Sequence, residues 1–123
     1  MPAIRYSSGL GLYQTPGEGV DLGSTTSVTV GHVIVNTQRV TSDTTITDQS
    51  IMLCDASQSD INITLPGTAG AGRVVYVKKI DNSTNSVIVS AGSQTIDDEL
   101  TQEMTDQHVS MQLVYDGSNW FII

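Results

Sequence analysis

The sequence is poor in aromatic residues, in basic residues and in cysteine. Aromatic side chains make up 5% of its 123 residues, and Lys and Arg together number 5. No apolar run approaches the ~20 residues that a membrane-spanning helix needs, so we expect no membrane partner. The opening segment lacks a positive stretch followed by an apolar run, so it does not resemble a secretory signal. We therefore expect the protein to be made in the cytoplasm of its host cell.

The single cysteine, Cys54, excludes an intrachain disulfide. It follows the apolar run that begins at Ile51 and precedes Asp55, so its surroundings are apolar on one side and acidic on the other. A reactive thiolate favours a positive environment. The pattern therefore predicts a buried structural thiol.

Acidic residues dominate the charge of the chain. The formal net charge is −8, which repels phosphate backbones and argues against a nucleic-acid partner. The basic cluster of the sequence is formed by Arg73, Lys78 and Lys79. Consecutive residues of a strand point to opposite faces, so Lys78 and Lys79 do not form one patch. We expect them to be solvated residues that protect an exposed strand edge.

Good helix formers are scarce, whereas β-branched residues are abundant. Thr, Val and Ile together supply 39 of the 123 residues, and branching at Cβ suits pleated surfaces better than helices. Hydrophobic residues reach 38%, enough for a core in one domain of this length. The predicted fold class is all-β, a small antiparallel jelly-roll-like sandwich or barrel with an extended N-terminal arm.

The composition changes near residue 31. Residues 1–31 contain six of the eleven glycines and two of the three prolines, without a sustained period. We interpret them as an arm with apolar anchors that lies on another surface, with a frayed terminus as the alternative. Residues 32–123 form the predicted β head. The predicted anchors are Ile4, Arg5, Tyr6, Leu10, Leu12 and Tyr13.

Short alternating segments predict the strands of the head. The strands expected early in the chain are 27–31 and 32–40. Residues 73–80 form the strongest candidate, and the segment 86–90 is expected to pair back with it across a polar loop. A four-residue loop at 116–119 predicts a terminal hairpin, and 96–104 is interpreted as a loop, with a helical turn as the alternative. The predicted core consists of Ile61, Ile63, Leu65, Val74, Tyr76, Val109, Met111, Leu113 and Trp120.

No motif for chemistry is specific in this sequence. The Gly-rich loop 67–73 lacks the Gly-Lys-Ser/Thr ending that holds phosphates, and His32 and His108 have no ligand partner at metal-site spacing. The residue types present do not exclude opportunistic calcium binding by acidic loops. They also do not exclude a Ser-His-Asp triad. We nevertheless expect that the protein is not an enzyme and that it binds no cofactor and no resident metal.

The last two thirds of the chain carry a resemblance. Its features are ITLP followed by small residues, VYVKKID before a polar loop, SQTID, and the closing LVYDGSNWFII, in that order over residues 43–123. This resembles a small β module of virion proteins of tailed bacteriophages, namely tail-fibre tips, head fibres and capsid decoration proteins. The resemblance implies a homotrimer. Apolar residues on both faces of residues 74–77 are compatible with it, because association would bury the surplus apolar surface.

The short segment before the module favours one member of this group. A fibre normally carries a long shaft or attachment domain, and only an arm of about thirty residues precedes the predicted β head here. We therefore expect a non-enzymatic capsid decoration protein on the outer surface of the virion, with the major capsid protein as its partner. The alternatives are a fibre tip that binds a host receptor or glycan, and a stand-alone carbohydrate-binding module.

Overall fold

The described chain is built of β-strands and connecting turns. The computed structural model describes residues 3–8, 11–15 and 28–123, and these residues contain no helix. The chain divides into two units, Met1–Val33 and Ile34–Ile123. The strands are β1 Ala3–Ser7, β2 Gly11–Thr15, β3 Thr37–Val40, β4 Thr44–Thr45, β5 Ile51–Cys54, β6 Ile61–Thr64, β7 Val74–Lys79, β8 Val87–Ser90, β9 Thr101–Met104, β10 Ser110–Tyr115 and β11 Trp120–Ile122.

The first unit contains an antiparallel hairpin. Strands β1 and β2 pair in a register that sets Ala3 opposite Thr15 and Ser7 opposite Gly11. The predicted anchors Ile4, Arg5 and Tyr6 belong to β1, and Leu12 and Tyr13 belong to β2; Leu10 lies outside the described residues. Their role as capsid anchors stays a prediction.

The second unit consists of two mixed sheets that do not close into a barrel. The five-stranded sheet has the order β11-β10-β7-β5-β3, and the four-stranded sheet has the order β4-β6-β8-β9. From β3 to β8 the chain alternates between the two sheets. Between any two paired strands of one sheet, the chain therefore forms one strand of the other sheet. All four pairings within this stretch are parallel: β3–β5, β5–β7, β4–β6 and β6–β8. The stretch is a short stack of coils, as in a β-solenoid.

The all-β prediction is confirmed, but the antiparallel arrangement is wrong for the coiled part. Residues 81–85 do not form a hairpin loop, because β7 and β8 lie in different sheets. Polar turns of this length mark the end of a strand equally well in a hairpin and in a coil that changes sheets. Parallel pairing requires a crossover, and here the strand in the opposite sheet supplies it.

Aspartates placed directly before strands of the four-stranded sheet link successive coils. Asp43 precedes β4, and its Oδ1 accepts a hydrogen bond from the Asn62 backbone N–H at 2.8 Å. Asp60 precedes β6, and its Oδ1 accepts from the Ser86 N–H at 2.7 Å. Each carboxylate therefore satisfies a backbone donor of the next coil, which sequence spacing alone did not reveal.

Antiparallel strands complete both sheets after the coils. Strand β9 pairs with β8, and β10 pairs with both β7 and β11. The predicted terminal hairpin is confirmed: Tyr115 lies opposite Trp120, and the carboxylate of Asp116 accepts from the backbone N–H groups of Ser118 and Asn119 at 2.7 and 2.8 Å. Gly117 has φ +106° in this turn, a conformation that glycine adopts without steric cost.

The core lies between the two sheets. The predicted core residues Ile61, Ile63, Leu65, Met111, Leu113 and Trp120 are buried there.

Three predicted core residues lie elsewhere. Val74 is half-buried, whereas Tyr76 and Val109 are each 41% exposed. Strand β7 turns Val75 and Val77 inward instead, and because both of its faces are apolar its pattern could not choose between them. Val109 is in phase with Met111 but precedes the start of β10.

Two early segments are less regular than predicted. Strand β3 begins only at Thr37, which lies opposite Ile51, the first residue of its partner β5. Residues 28–36, which were expected to be in strands, are not, and Ile34 is 87% exposed; residue 27 lies outside the described residues. The segment 96–104 is neither a helix nor a single loop: it forms a tight turn at Ile96–Glu99 and then strand β9.

Candidate interaction surface

The five-stranded sheet turns an apolar face away from the core. We call this surface the outer face. Its apolar residues alternate along β5, β7 and β10 with the residues that point into the core, and they continue onto β11. Tyr76, Phe121 and Ile123 are the most accessible, at 41%, 38% and 65%. The apolar residues of the outer face are Ile51, Leu53, Val74, Tyr76, Val114, Phe121 and Ile123.

Strand register makes these side chains neighbours. Ile51 on β5 lies opposite Tyr76 on β7. Val114 on β10 lies opposite Val74 on one side and Phe121 on the other. Side chains opposite each other on one face of a sheet are within contact distance. The outer face is therefore a largely apolar surface, interrupted on β10 by Gln112 opposite Tyr76, and not a set of scattered exposed residues.

The corresponding face of the four-stranded sheet has the opposite character. Its outward positions carry hydroxyl, amide and carboxylate groups, and Ile88 is the large apolar side chain among them. An exposed sheet face is commonly polar when water covers it. By contrast, the outer face of the five-stranded sheet is much more apolar than a sheet face that water covers. The polar residues of the four-stranded sheet's outward face are Thr45, Asn62, Thr64, Ser90, Thr101 and Glu103.

Two cations lie in one register row of the outer face, near the C-terminal ends of β3 and β7. Arg39 on β3 is opposite Leu53, and Leu53 is opposite Lys78. Arg39 pairs with Asp55 at 2.9 Å, with 65% of its side chain exposed. That hydrogen bond, assisted by Ser57, holds the pKa of Asp55 below its usual range. Lys78 donates to the backbone carbonyl of His108 at 2.8 Å and has no carboxylate within ion-pair distance among the described residues.

Neither lysine has the role that the sequence suggested. Both are on β7, the middle strand of its sheet, so neither protects an edge. Lys79 points into the core and is fully buried, and its Nζ pairs with Asp81 Oδ1 at 2.6 Å. Burial of a lysine requires such a partner, because an unpaired ammonium in the core is costly.

The partner of Lys79 is itself held by a dense set of donors. Burial by itself would raise the pKa of Asp81, but hydrogen bonds from Lys79, from the Ser83 hydroxyl and from the Ala56 and Ser83 backbone N–H groups outweigh it and hold that pKa well below its usual range. Ala56 follows β5 and Asp81 follows β7, so the hydrogen bond from the Ala56 N–H to the Asp81 carboxylate ties two successive coils together. Its role is structural.

The cysteine also has a structural environment. Cys54 is buried opposite Lys79 in the parallel pairing of β5 and β7. Burial, assisted by the nearby negative charge of Asp81, raises the pKa of the Cys54 thiol to about 12. The thiol therefore remains protonated at neutral pH, and a protonated buried thiol is a poor nucleophile.

No pocket or metal-binding cluster is present in the described part of the chain. That part contains no group of three or more His, Cys, Asp or Glu side chains that could hold a metal ion. No helix there is long and apolar enough to cross a membrane. Comparison of the sequence with protein-family models and with curated proteins found no match.

The outer face is the candidate functional surface that these observations leave. The sequence had indicated surplus apolar surface at residues 74–77 but had not located it. Finding it required the register of five strands, because Val114 and Phe121 come from segments distant from β5 and β7 in the chain.

Proposed function

We propose that this chain is a non-enzymatic structural protein of a tailed-bacteriophage virion, a trimeric decoration protein on the outer surface of the capsid. The single observation that supports a binding role most directly is the accessible, largely apolar outer face of the five-stranded sheet. Apolar sheet surface of this kind is stabilised when another protein surface covers it. The phage assignment itself rests on the sequence resemblance over residues 43–123.

In this proposal the two units have different partners. The head associates with other copies of itself, and the extended N-terminal arm binds the major capsid protein. Trivalent attachment sums contacts of modest strength, since three linked arms bind far more tightly than one. The position of Trp120 favours this function over sugar binding: the only tryptophan of the sequence is fully buried and cannot stack on a ligand from that position.

The copy number of the chain in purified particles tests the proposal. Quantitative mass spectrometry should find it in the virion of the phage that encodes it, at a copy number comparable with the major shell protein. A few trimers per particle would instead indicate a fibre or spike. Absence from particles would refute the virion function.

Removing the arm should separate attachment from folding. We expect deletion of residues 1–24 to abolish binding to particles that lack the protein, while residues 28–123 retain a cooperative thermal transition. The reason is that the core residues in the described part of the chain all follow Val33. Co-sedimentation with particles and circular dichroism measure the two properties. Undiminished particle binding by the truncated chain would contradict the anchoring role.

A matched pair of substitutions tests the outer face. Ile51 and Ile88 are both half-buried isoleucines on inner strands, but Ile51 is on the outer face and Ile88 is on the polar face of the other sheet. We expect Ile51→Ser to weaken self-association about tenfold or more, measured by sedimentation equilibrium. Ile88→Ser should leave association unchanged. Equal effects of the two substitutions would show that the outer face is not the interface.

A further inference from the structure

The outer face carries opposite charges toward the two ends of its strands. Arg39 and Lys78 belong to one register row that runs from the edge strand β3 to the middle strand β7, with Leu53 between them. We call this the cationic side. The strand residues of the outer face include no carboxylate, although the chain carries 13 acids. The carboxylate that contacts the cationic side is Asp55, which neutralises part of the charge of Arg39 and leaves Lys78 unpaired within the described residues.

The other side of the sheet ends in an acidic turn. Ile96 and Glu99 exchange backbone hydrogen bonds of 2.8 and 3.0 Å around Asp97 and Asp98. Both aspartates have positive φ, 49° and 68°, as a two-residue hairpin turn requires. We call residues 97–100 the acidic side.

The acidic turn is attached to the edge strand β11. The Asp97 N–H donates to the Trp120 carbonyl at 3.1 Å, and the Ile122 N–H donates to Asp97 Oδ1 at 3.2 Å. Lys78 lies opposite Ser110 at the start of β10, whereas Trp120 lies opposite Tyr115 at the end of β10. The cationic side and the acidic side therefore lie toward opposite ends of the strands.

Leu100 adds an apolar contact to the acidic side. It directly follows Glu99 and is 67% exposed. An exposed leucine next to acidic groups matches the cationic side, where Leu53 lies between Arg39 and Lys78. Neither Asp98 nor Glu99 has a cation within ion-pair distance among the described residues. Both sides therefore combine an apolar side chain with at least one charge that has no ion-pair partner in the described part of the chain, Lys78 on one side and Glu99 on the other.

We propose that the occupant of the cationic side is the acidic side of a second copy of this chain, with Glu99 and Leu100 of one copy against Lys78 and Leu53 of the next. In a ring, each copy presents one side to each neighbour, because ring contacts join two different patches. Complementary charges orient this contact, and the apolar outer face is then covered. The inference rests on the self-association proposed above and specifies its contacts.

Charge reversal with rescue tests the contact in the full-length protein. Glu99→Lys places like charges across the interface, and we expect the dissociation constant for self-association to rise about a hundredfold. Lys78→Glu should do the same. The double variant Glu99→Lys/Lys78→Glu restores opposite charges in every copy and should associate within about threefold of the wild type. Sedimentation equilibrium at low ionic strength measures all four proteins, since salt screens such contacts.

The matched control is Glu103→Lys, which makes the same change of charge on the outward face of the four-stranded sheet. It should associate like the wild type. Thermal unfolding of each variant at a concentration where it is monomeric distinguishes loss of association from loss of folding.

The possible outcomes separate this inference from the function on which it rests. A wild-type protein that stays monomeric at all concentrations would overturn the proposed self-association itself. A trimeric wild type whose association is insensitive to Glu99→Lys, or whose double variant is no better than the single variants, would overturn the charge pairing and leave the trimer standing.

Discussion

Trp120→Ala should lower the free energy of unfolding by about 3–5 kcal/mol, because it removes the largest fully buried side chain and leaves a cavity between the sheets. The indole packs against Tyr115, with ring centroids 5.1 Å apart and the planes tilted by 38°, and such pairs contribute beyond their buried area. Chemical denaturation followed by circular dichroism measures the change. A loss below about 1 kcal/mol would place the indole at the surface and favour the sugar-binding alternative.

A second substitution at the same residue separates packing from polarity. The Nε1–H of Trp120 is buried and donates to no acceptor among the described residues. A buried donor without a partner costs free energy. Trp120→Phe, which keeps an aromatic ring and removes this donor, should therefore be much less destabilising than Trp120→Ala. Phe121→Ala is the control, since the neighbouring side chain points to the outer face and is 38% exposed.

Asp81→Ala is expected to cost about 3–5 kcal/mol, since it leaves the buried ammonium of Lys79 without its carboxylate. The same change removes the acceptor of the Ala56 N–H, a bond of 2.7 Å that joins two coils. Asp106→Ala, at an exposed carboxylate, should change stability by less than about 0.5 kcal/mol. Urea titrations at neutral pH compare them, and an unchanged midpoint for Asp81→Ala would contradict the structural role of the ion pair.

The same ion pair predicts the acid sensitivity of the fold. The pKa of Asp81 is lowered in the folded protein, so folding is favoured by the ionised carboxylate. Its contribution is complete above the unfolded pKa, near 4, and is lost as the pH falls through the folded value. Wild-type stability should therefore decline below about pH 4 more steeply than that of Asp81→Ala. Parallel slopes for the two proteins would contradict this.

Local patterns predicted part of the fold well. The predicted core residues Ile61, Ile63 and Leu65 are buried in and just after β6, and the turn sequence at 116–119 identified the terminal hairpin. Both depend on residues close in the chain, where periodicity and turn chemistry carry the information. The coil stack was missed because a turn into the opposite sheet and a hairpin turn use the same polar residues.

The candidate surface could be predicted only in outline. Val74 and Tyr76 were assigned to the core because strand β7 is apolar on both faces. The choice of face depends on which neighbours β5 and β10 bring, and these come from distant parts of the sequence. Burial of Lys79 was missed for the same reason: its carboxylate partner is two residues away, but the core around it is assembled from other coils.

The sequence by itself determined the fold class, the acidic charge, the single thiol and the local turns, because composition and short-range periodicity are properties of neighbouring residues. Only the tertiary structure decided that β3 to β8 coil in parallel, that Lys79 is buried and Tyr76 is not, and that a largely apolar sheet face carries cations toward one end of its strands and an acidic turn toward the other. These properties depend on strand register between segments far apart in the chain, and a shift of one residue would exchange the buried and exposed faces.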